Sequence, residues 1–532
     1  MPADPMEVEK EAGRKRPPPP VSAANVAAAA AYANRGCGGG RAGGQSSASA
    51  QDSGPEFSPE LLRIYYSRLF PYEAMYRWLS YGGQSAAPGE GASTDESGMM
   101  VRREFSFTIE DDIYIRYQCF RDLEEMRTVV QRRQPHKIDI GAIFTLPPRD
   151  HAAAQPGAFF PVERELVFDV DLTDYDDVRT CCSGAKICRR CWGYMAMAMH
   201  VMDRGLREDF GFKNLLWVYS GRRGVHCWVS DPEARALTNE QRSAVADYFS
   251  VVSAGENQGK KVKLSHPIYP AVRRAYGELE PLFRRHIAPA SGQGLLATPA
   301  RWRPLLDSLP FEGMADEVDA EWRADVDELD EEGRWDALVE RLGQKSGGGG
   351  SGGGSGGNGR PRPKKQAKTA ASPGAGELWC YETVLTHCYP RLDVNVSKAQ
   401  NHLLKSPFVA HPKTGRICVP IDPRRIDDFD PFAVPTLGRL ARQIDEYDHA
   451  HPAAAAAAAG GVAAVAAGAA AGRAAAGTAG EGAGAGKGDL HKTELQRYVE
   501  MFEADFLQPL YQGIRRRRRD DNERMAAVTT DF

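Results

Sequence analysis

The sequence predicts an α/β (α+β) fold, and three observations point there. Leu166, Val167, Phe168 and Val170 form an apolar, β-branched run that reads as a buried strand. Two further runs, Leu215-Leu-Trp-Val-Tyr-Ser220 and Val225-His-Cys-Trp-Val229, flank a Gly-Arg-Arg-Gly turn and read as a hairpin. Long segments of helical period surround these strands, from Trp192 to Glu208 and through the charged stretch from Asp231 to about Leu342.

In chain order, residues 1–56 are rich in Pro, Ala, Gly and Ser and cannot bury enough apolar surface to fold. Order is expected to begin at Ser58-Pro59-Glu60, where Ser58 caps a helix carrying Leu61, Leu62, Tyr65 and Leu69. A short helix follows Pro71 and ends near Gly82-Gly83, and Gln84 to Gly98 reads as an inserted loop. Arg103 to Ile109 alternates as a strand, with Phe105, Phe107 and Ile109 on one face. Tyr114 to Phe120 reads as another strand, Asp122 to Val130 as either strand or short helix, and His136 to Gly141 as a short mixed segment. Met195, Met199, Met202 and Leu206 line one side of the helix ending before Gly211, a pattern that fits core packing. Trp379 to Tyr389 is expected to be helical, Pro390 to Asp393 to begin a return strand, and His402–Phe408 and Arg416–Val419 to form short elements. Lys492 to Tyr511 makes a last helix, followed by the basic run Arg515 to Arg519, read as a solvated tail.

The folded portion is bounded by low-complexity tracts. A first part spans residues 57–230, helical sequence spans 231–345, a flexible Gly/Ser and basic linker spans 346–376, and a second part spans 377–450. An Ala/Gly insert at 451–488 precedes the C-terminal helix and basic tail at 489–532. The 532 residues are enough for two or more domains, but many of the 54 glycines lie in tracts that bury nothing. A formal net charge of −4 argues against a uniformly basic nucleic-acid sleeve, so any phosphate attraction must come from a local groove. No apolar run of membrane-spanning length is present, and Ala23 to Ala33 lacks the leucines of a secretory signal. The 10 cysteines are therefore expected in a reducing compartment without disulfides. Arg14-Lys15-Arg16 suits a nuclear import signal as well as plain solubility. Gly486-Lys487 resembles part of a phosphate-binding loop, but Gly488 replaces its Ser or Thr and no strand precedes it.

Chemistry concentrates at Glu165-Leu-Val-Phe-Asp-Val-Asp-Leu-Thr-Asp-Tyr-Asp-Asp177. Asp169 and Asp171, two apart on a strand, emerge on one face of the sheet. Like charges this close repel unless a cation sits between them, and the simpler alternative is a strand end running into a solvated loop. Downstream, Cys181-Cys182-x5-Cys188-x2-Cys191 offers four thiolates, enough to close a tetrahedral structural Zn²⁺ site, the alternative being a reduced cluster without metal. Cys119, Cys227, Cys380, Cys388 and Cys418 sit in apolar elements and read as packed thiols.

Four motifs in order, ELVFDVDLTDYDDVR, the cysteine cluster, SGRRGVH and RLDVNVSKAQNHLLKSPFVAHPKTGRI, resemble the catalytic small subunit of eukaryotic DNA primase. The similarity runs from about Phe57 to Asp430, broken by low-complexity inserts. It implies the archaeo-eukaryotic primase fold, with mixed β-sheets flanked by helices, a structural zinc loop at 181–191 and an inserted helical subdomain. It also implies RNA primer synthesis on a single-stranded DNA template from ribonucleoside triphosphates. A heterodimer with the large iron–sulfur primase subunit, joined to the DNA polymerase α complex in the nucleus, is implied as well.

Phosphodiester synthesis needs an activated attacking hydroxyl and a neutralised pyrophosphate, which two divalent cations about 4 Å apart supply. Asp169 and Asp171 supply two carboxylates, and the resemblance assigns the third to Asp393. An all-oxygen shell suits Mg²⁺ or Mn²⁺. Arg222 and Arg223 put two guanidinium forks on a tight glycine turn, suited to bidentate phosphate contacts or, more plainly, to a basic hairpin tip. By resemblance, Ser220, Arg222, Arg223 and His226 bind the triphosphate of the incoming nucleotide, and Lys405 and His411 complete the pocket. Glu104, Tyr114, Arg116 and Asp139 match positions lining the nucleotide and initiation sites, and His402 reads as a satisfied structural histidine. Rival readings are a repair-type primase–polymerase, a two-metal nuclease, which has no need of the arginine pair, and a zinc-stabilised nucleic-acid binder, which leaves the carboxylates idle.

Overall fold

The computed structural model describes residues 56–82, 98–252, 261–324, 329–347, 374–452 and 489–530. The N-terminal tail to residue 55, the Gln84–Asp/Ser-rich stretch before Gly98, most of the Gly/Ser linker, the Ala/Gly insert and the segment around Lys487 lie outside these residues. Helix α1 (Pro59–Arg68) starts as the sequence dictates: Ser58 accepts the Leu61 amide at 3.2 Å and Pro59 occupies the first turn. Helix α2 (Tyr72–Ser80) ends where Tyr81 turns left-handed at φ 49°. The apolar faces of both helices enter one core, with Leu62, Tyr65, Trp78 and Leu79 buried.

The first sheet holds β1 (Arg103–Thr108), β2 (Tyr114–Gln118), β3 (Lys137–Phe144) and β4 (Pro161–Glu163), in the order β2-β1-β3-β4. Helix α3 (Leu123–Arg133) settles the ambiguous segment after β2, because Asp122 accepts the Glu125 amide at 2.7 Å as an N-cap. The short mixed segment at His136 proves to be the long inner strand β3, and Ile109 falls just beyond β1. Both faces of β1 are buried: Phe105 and Phe107 face the core, while Glu104 and Ser106 are covered by polar partners on the other side.

The second sheet has the order β5-β7-β6-β9, from β5 (Leu166–Asp171), β6 (Leu215–Tyr219), β7 (Gly224–Val229) and, further on, β9 (Pro420–Ile421). A two-residue strand, β8 (Leu404–Lys405), joins β3 in the first sheet. Every described strand pair is antiparallel, so the α/β expectation holds with helices flanking antiparallel rather than mixed sheets. The hairpin connections β1–β2 and β6–β7 impose that direction on their neighbours.

Helix α4 (Arg189–Glu208) runs with Met195, Met199, Met202 and Leu206 fully buried. Among the described residues of 232–347 six helices follow, of which Pro270–His286 packs against both α4 and Ala375–Cys388. No return strand forms at Pro390. Asp393 instead caps a short helix, Val394–Lys398, accepting the Asn395 amide at 3.1 Å, as a short carboxylate before a helix favours. The basic run Arg515–Arg519 is exposed, as a solvated segment would be, but it lies in the helix Gln508–Thr530, where Arg517 pairs with Glu233 at 2.6 Å and Arg518 donates to the Gly82 carbonyl at 2.9 Å. Between the sheets, the fully buried Arg103 of β1 forks onto Glu165, next to β5, at 2.9 and 3.0 Å. Burial would raise the Glu165 carboxyl, but this guanidinium overrides it and holds it down to about 2. Among the described residues no helix is long and apolar enough to cross a membrane.

Candidate active site

The register of β5 against β7 sets the site. Asp169 lies opposite His226 and Asp171 opposite Gly224. A Cβ at Gly224 would stand 2.5 Å from the Val170 carbonyl oxygen, so the close approach of the arginine turn to the acidic strand requires glycine. Asp393, 222 residues after Asp171 in sequence, arrives beside them because its amide donates to the Asp169 carbonyl at 3.1 Å. The short helix after it is fastened to the same strand, Ser397 Oγ donating to the Val167 carbonyl at 2.7 Å. Arg391 ties the other side, donating to the Asp174 carbonyl at 2.7 Å and pairing with Asp177 while its guanidinium lies over the Tyr175 ring.

The carboxylates feel one another. Asp169 is pushed up to about 7, by burial first and then by Asp171 and Asp393. Asp174 is raised to about 6 by burial and the same two neighbours. Asp171 accepts the Thr173 amide and hydroxyl, each at 2.8 Å, and Arg223 Nε reaches both of its oxygens at 2.7 Å. The Arg223 side chain therefore reaches the acidic strand and pairs with Asp171.

The cationic side is built on the turn between β6 and β7. Ser220 Oγ accepts the Gly224 amide at 3.0 Å, closing the turn, and the Tyr219 hydroxyl donates to the Arg222 carbonyl at 2.9 Å. Gly221 has φ +85°, and a Cβ there would meet His411 at 2.7 Å. Thr414 Oγ1 donates to the Gly221 carbonyl at 2.7 Å, locking the turn to the His411–Gly415 loop. Lys405 leaves β8 in the first sheet and donates to the Ser220 carbonyl at 3.2 Å, bridging the two sheets. Among the described residues Arg222 has no carboxylate partner.

Both histidines are neutral at neutral pH. His226 is lowered to about 3 by burial and by Lys405, and its buried Nδ1 has no described hydrogen-bond partner. Its Nε2 stands 3.6 Å from Asp169, too far for a strong bond. His411 is lowered to about 3 by burial and then by Lys405, Arg222, Lys137 and Lys413. A pocket edge crowded with cations and short of anions is an electrostatic fit for a polyphosphate.

The remaining assigned residues sit in the first sheet. Asp139 is opposite Lys405 in the β3–β8 register, accepts the Ser106 hydroxyl at 3.0 Å, and is raised by burial. Glu104 and Arg116 hold each other in a bidentate pair at 2.9 and 3.0 Å, and Tyr114 is exposed on the outer strand. His402 is half-buried, and its pKa is lowered by burial and by Arg164. Its ring has no hydrogen-bond partner among the described residues, so the structural reading of this histidine lacks its expected bond.

Cys181, Cys182, Cys188 and Cys191 converge so that all four sulfurs lie within 4.8 Å of one another. Cys188 caps α4, and its amide donates to Cys191 Sγ at 3.1 Å. Gln293 donates to Cys181 Sγ at 3.4 Å, and its own carbonyl groups accept from Thr180, so the loop is anchored to the helical region. The buried Arg179 spans the same loop, bonding the Lys186 and Gly184 carbonyls at 3.0 and 3.1 Å. Among the described residues the remaining thiols, Cys119, Cys227, Cys380, Cys388 and Cys418, are buried as expected.

Sequence reasoning passed over Asp174, Arg391, Lys137 and Lys413. Asp174 lies within the acidic run that follows Asp169 and Asp171, and Arg391 precedes Asp393 by two residues. The two lysines carry no sequence signal of their own, because it is tertiary packing that aims them at His411.

A family model described as DNA primase small subunit matches residues 168–423. The DNA primase small subunit of Drosophila melanogaster is 37% identical over 408 residues, which cover 76% of this chain and 86% of that protein. Its counterpart in Schizosaccharomyces pombe is 36% identical over 389 residues, covering 73% of this chain and 78% of that protein. The Saccharomyces cerevisiae protein of the same name is 33% identical over 403 residues, covering 75% and 88% respectively.

Proposed function

The chain belongs to the DNA primase small-subunit family, and from that premise we propose that Asp169, Asp171 and Asp393 form its nucleotidyl-transfer centre, facing a triphosphate cradle of Ser220, Arg222, His226, Lys405 and His411. The family's reaction is the synthesis of RNA primers, and this chain is an enzyme of that class, a nucleotidyltransferase that works as one subunit of a primase complex. The observation that supports the assignment is the meeting of a mutually repelling acidic trio with an anion-poor basic turn, Lys405 lying close enough to act on both Asp169 and His411.

The donor chemistry fits the expected cofactors. Three carboxylates offer only oxygen, which suits Mg²⁺ or Mn²⁺, and the raised Asp169 carboxyl marks a site made for a cation. Asp169, Asp171 and Asp393 would hold such ions, which would supply activation of the primer 3′-hydroxyl and charge neutralisation of the pyrophosphate. The residues themselves orient the reactants. Arg222 and Lys405 hold the β- and γ-phosphates as fixed charges, and neutral His226 and His411 offer ring nitrogens for hydrogen bonds to phosphate oxygens. Arg223 on Asp171 stands between the two halves of the site and can turn from carboxylate to phosphate. Asp139, Glu104, Tyr114 and Arg116 line the first-sheet side, toward the nucleotide sugar and the initiating nucleotide. Four clustered thiolates fit a closed Zn²⁺ site that steadies the loop after β5.

The partners belong to the same proposal: the large iron–sulfur subunit, the DNA polymerase α complex, a single-stranded DNA template and ribonucleoside triphosphates, in the nucleus. Arg222→Ala is expected to raise the KM for nucleotide by about 10- to 100-fold, the loss of one charge-assisted phosphate contact, while template affinity stays near the wild-type value. Steady-state incorporation at varied nucleotide concentration, with template binding measured in parallel, reads both. An unchanged KM removes Arg222 from the cradle.

A further inference from the structure

One backbone distortion lies at the edge of the cradle. Phe408, midway between Lys405 and His411, is fully buried at φ +61°, a left-handed conformation that bulky aromatic residues rarely enter. Such a conformation persists only where its surroundings over-determine it. Here the Phe408 amide donates to the Cys418 carbonyl at 2.8 Å, and the Cys418 amide returns a bond to Val409 at 2.9 Å. The Phe408 carbonyl accepts the hydroxyl of Tyr65, on α1, at 2.5 Å, in a buried contact that spans 343 residues of sequence. The Phe408 ring meets Phe502 edge-on at 5.4 Å.

The consequence for the site is directional. Lys405 precedes the distorted residue by three positions and reaches the Ser220 carbonyl, while His411 follows it by three and packs against Gly221. The segment that reverses at Phe408 therefore brings both cradle residues to the Ser220–Gly224 turn, Lys405 at the Ser220 carbonyl and His411 against Gly221. Burial raises the Tyr65 hydroxyl well above its ordinary value, so it stays a proton donor at any working pH.

We propose that Tyr65 is a positioning residue for nucleotide binding: its hydroxyl holds the Phe408 carbonyl in the turn that places Lys405 and His411 around the triphosphate. The proposal rests on the cradle reading above and assigns Tyr65 no contact with substrate. Tyr66 is the natural control, since it is equally buried on the same helix but its hydroxyl donates to the Pro135 carbonyl at 2.8 Å instead of to Phe408.

The test compares Tyr65→Phe, Tyr66→Phe and Arg222→Ala in the full chain by steady-state incorporation, with thermal melts and amide hydrogen exchange alongside. Each tyrosine variant loses a single oxygen and leaves no cavity, so both fold. Tyr65→Phe is expected to raise the KM for nucleotide about 5-fold or more with a smaller change in kcat, and to speed exchange at residues 408–411. Tyr66→Phe is expected to lower the melting temperature comparably and leave KM and that exchange unchanged. If Tyr65→Phe keeps its KM within twofold while Arg222→Ala raises it, the positioning role is lost and the cradle stands. If Tyr66→Phe raises KM as much as Tyr65→Phe, the effect is general loosening and the proposal fails. If Arg222→Ala leaves KM unchanged, the cradle itself is wrong and this role with it.

Discussion

Replacing Asp171 by alanine is expected to lower primer synthesis by roughly three orders of magnitude or more, with the chain still folded. The size follows from what the side chain does. On the proposed role, several kcal/mol of charge stabilisation would be lost with this carboxylate, and each ~1.4 kcal/mol is a factor of ten in rate. Asp171 is half-exposed at the end of β5, so its removal opens no core cavity, and the strand keeps Leu166, Val167, Phe168 and Val170 in place. Arg223 loses its partner, but it is also partly exposed and can be solvated. The variant therefore separates chemistry from folding: circular dichroism and melting temperature stay close to wild type while incorporation vanishes. Synthesis within tenfold of wild type by a folded Asp171→Ala chain would remove this carboxylate from the reaction.

The second large effect concerns the cysteines. Metal analysis of the purified chain is expected to find about one zinc per molecule, and Cys191→Ser to abolish it. Cys191 is the most buried of the four thiols and sits in the first turn of α4, so its loss unsettles both the loop and the helix N-terminus. A structural zinc contributes about 10 kcal/mol or more to a small peptide. If a third of that reaches this larger chain, the melting temperature falls by roughly 5 °C or more. A wild-type chain with no zinc, melting like Cys191→Ser, contradicts the metal reading and leaves a reduced thiol cluster held by Gln293 and Arg179.

Much of the site could be read before the fold was known, and the reasons differ by residue. Asp169 and Asp171 are legible because strand geometry fixes the direction of side chains two apart, so a local pattern carries spatial content. The four cysteines are legible because their ligand spacing is local too. Asp393 is different: nothing near it marks it as catalytic, and only resemblance to a family motif brings it forward. The structure adds the physical link, one backbone hydrogen bond from its amide to Asp169. The expectation of a strand at Pro390–Asp393 fails because the helix-capping preference of aspartate wins where only one ladder bond is available. Arg223 and Arg222 look equivalent in sequence, yet Arg223 pairs with Asp171 while Arg222 has no carboxylate partner among the described residues. Tyr65 stands out in the sequence only as a helix residue and Phe408 only as the end of a short element, because a left-handed φ in a bulky residue has no compositional signature.

The central claim is that three carboxylates, one brought from far along the chain, act together. Its most direct test supplies a single-stranded DNA template, labelled ribonucleotides and Mg²⁺ or Mn²⁺ to the wild type and to Asp393→Ala. The account predicts short RNA products from the wild type and none from Asp393→Ala, whose nucleotide binding persists through Arg222 and Lys405. Full-length wild-type yields from Asp393→Ala, or degraded template in place of new RNA, would contradict it.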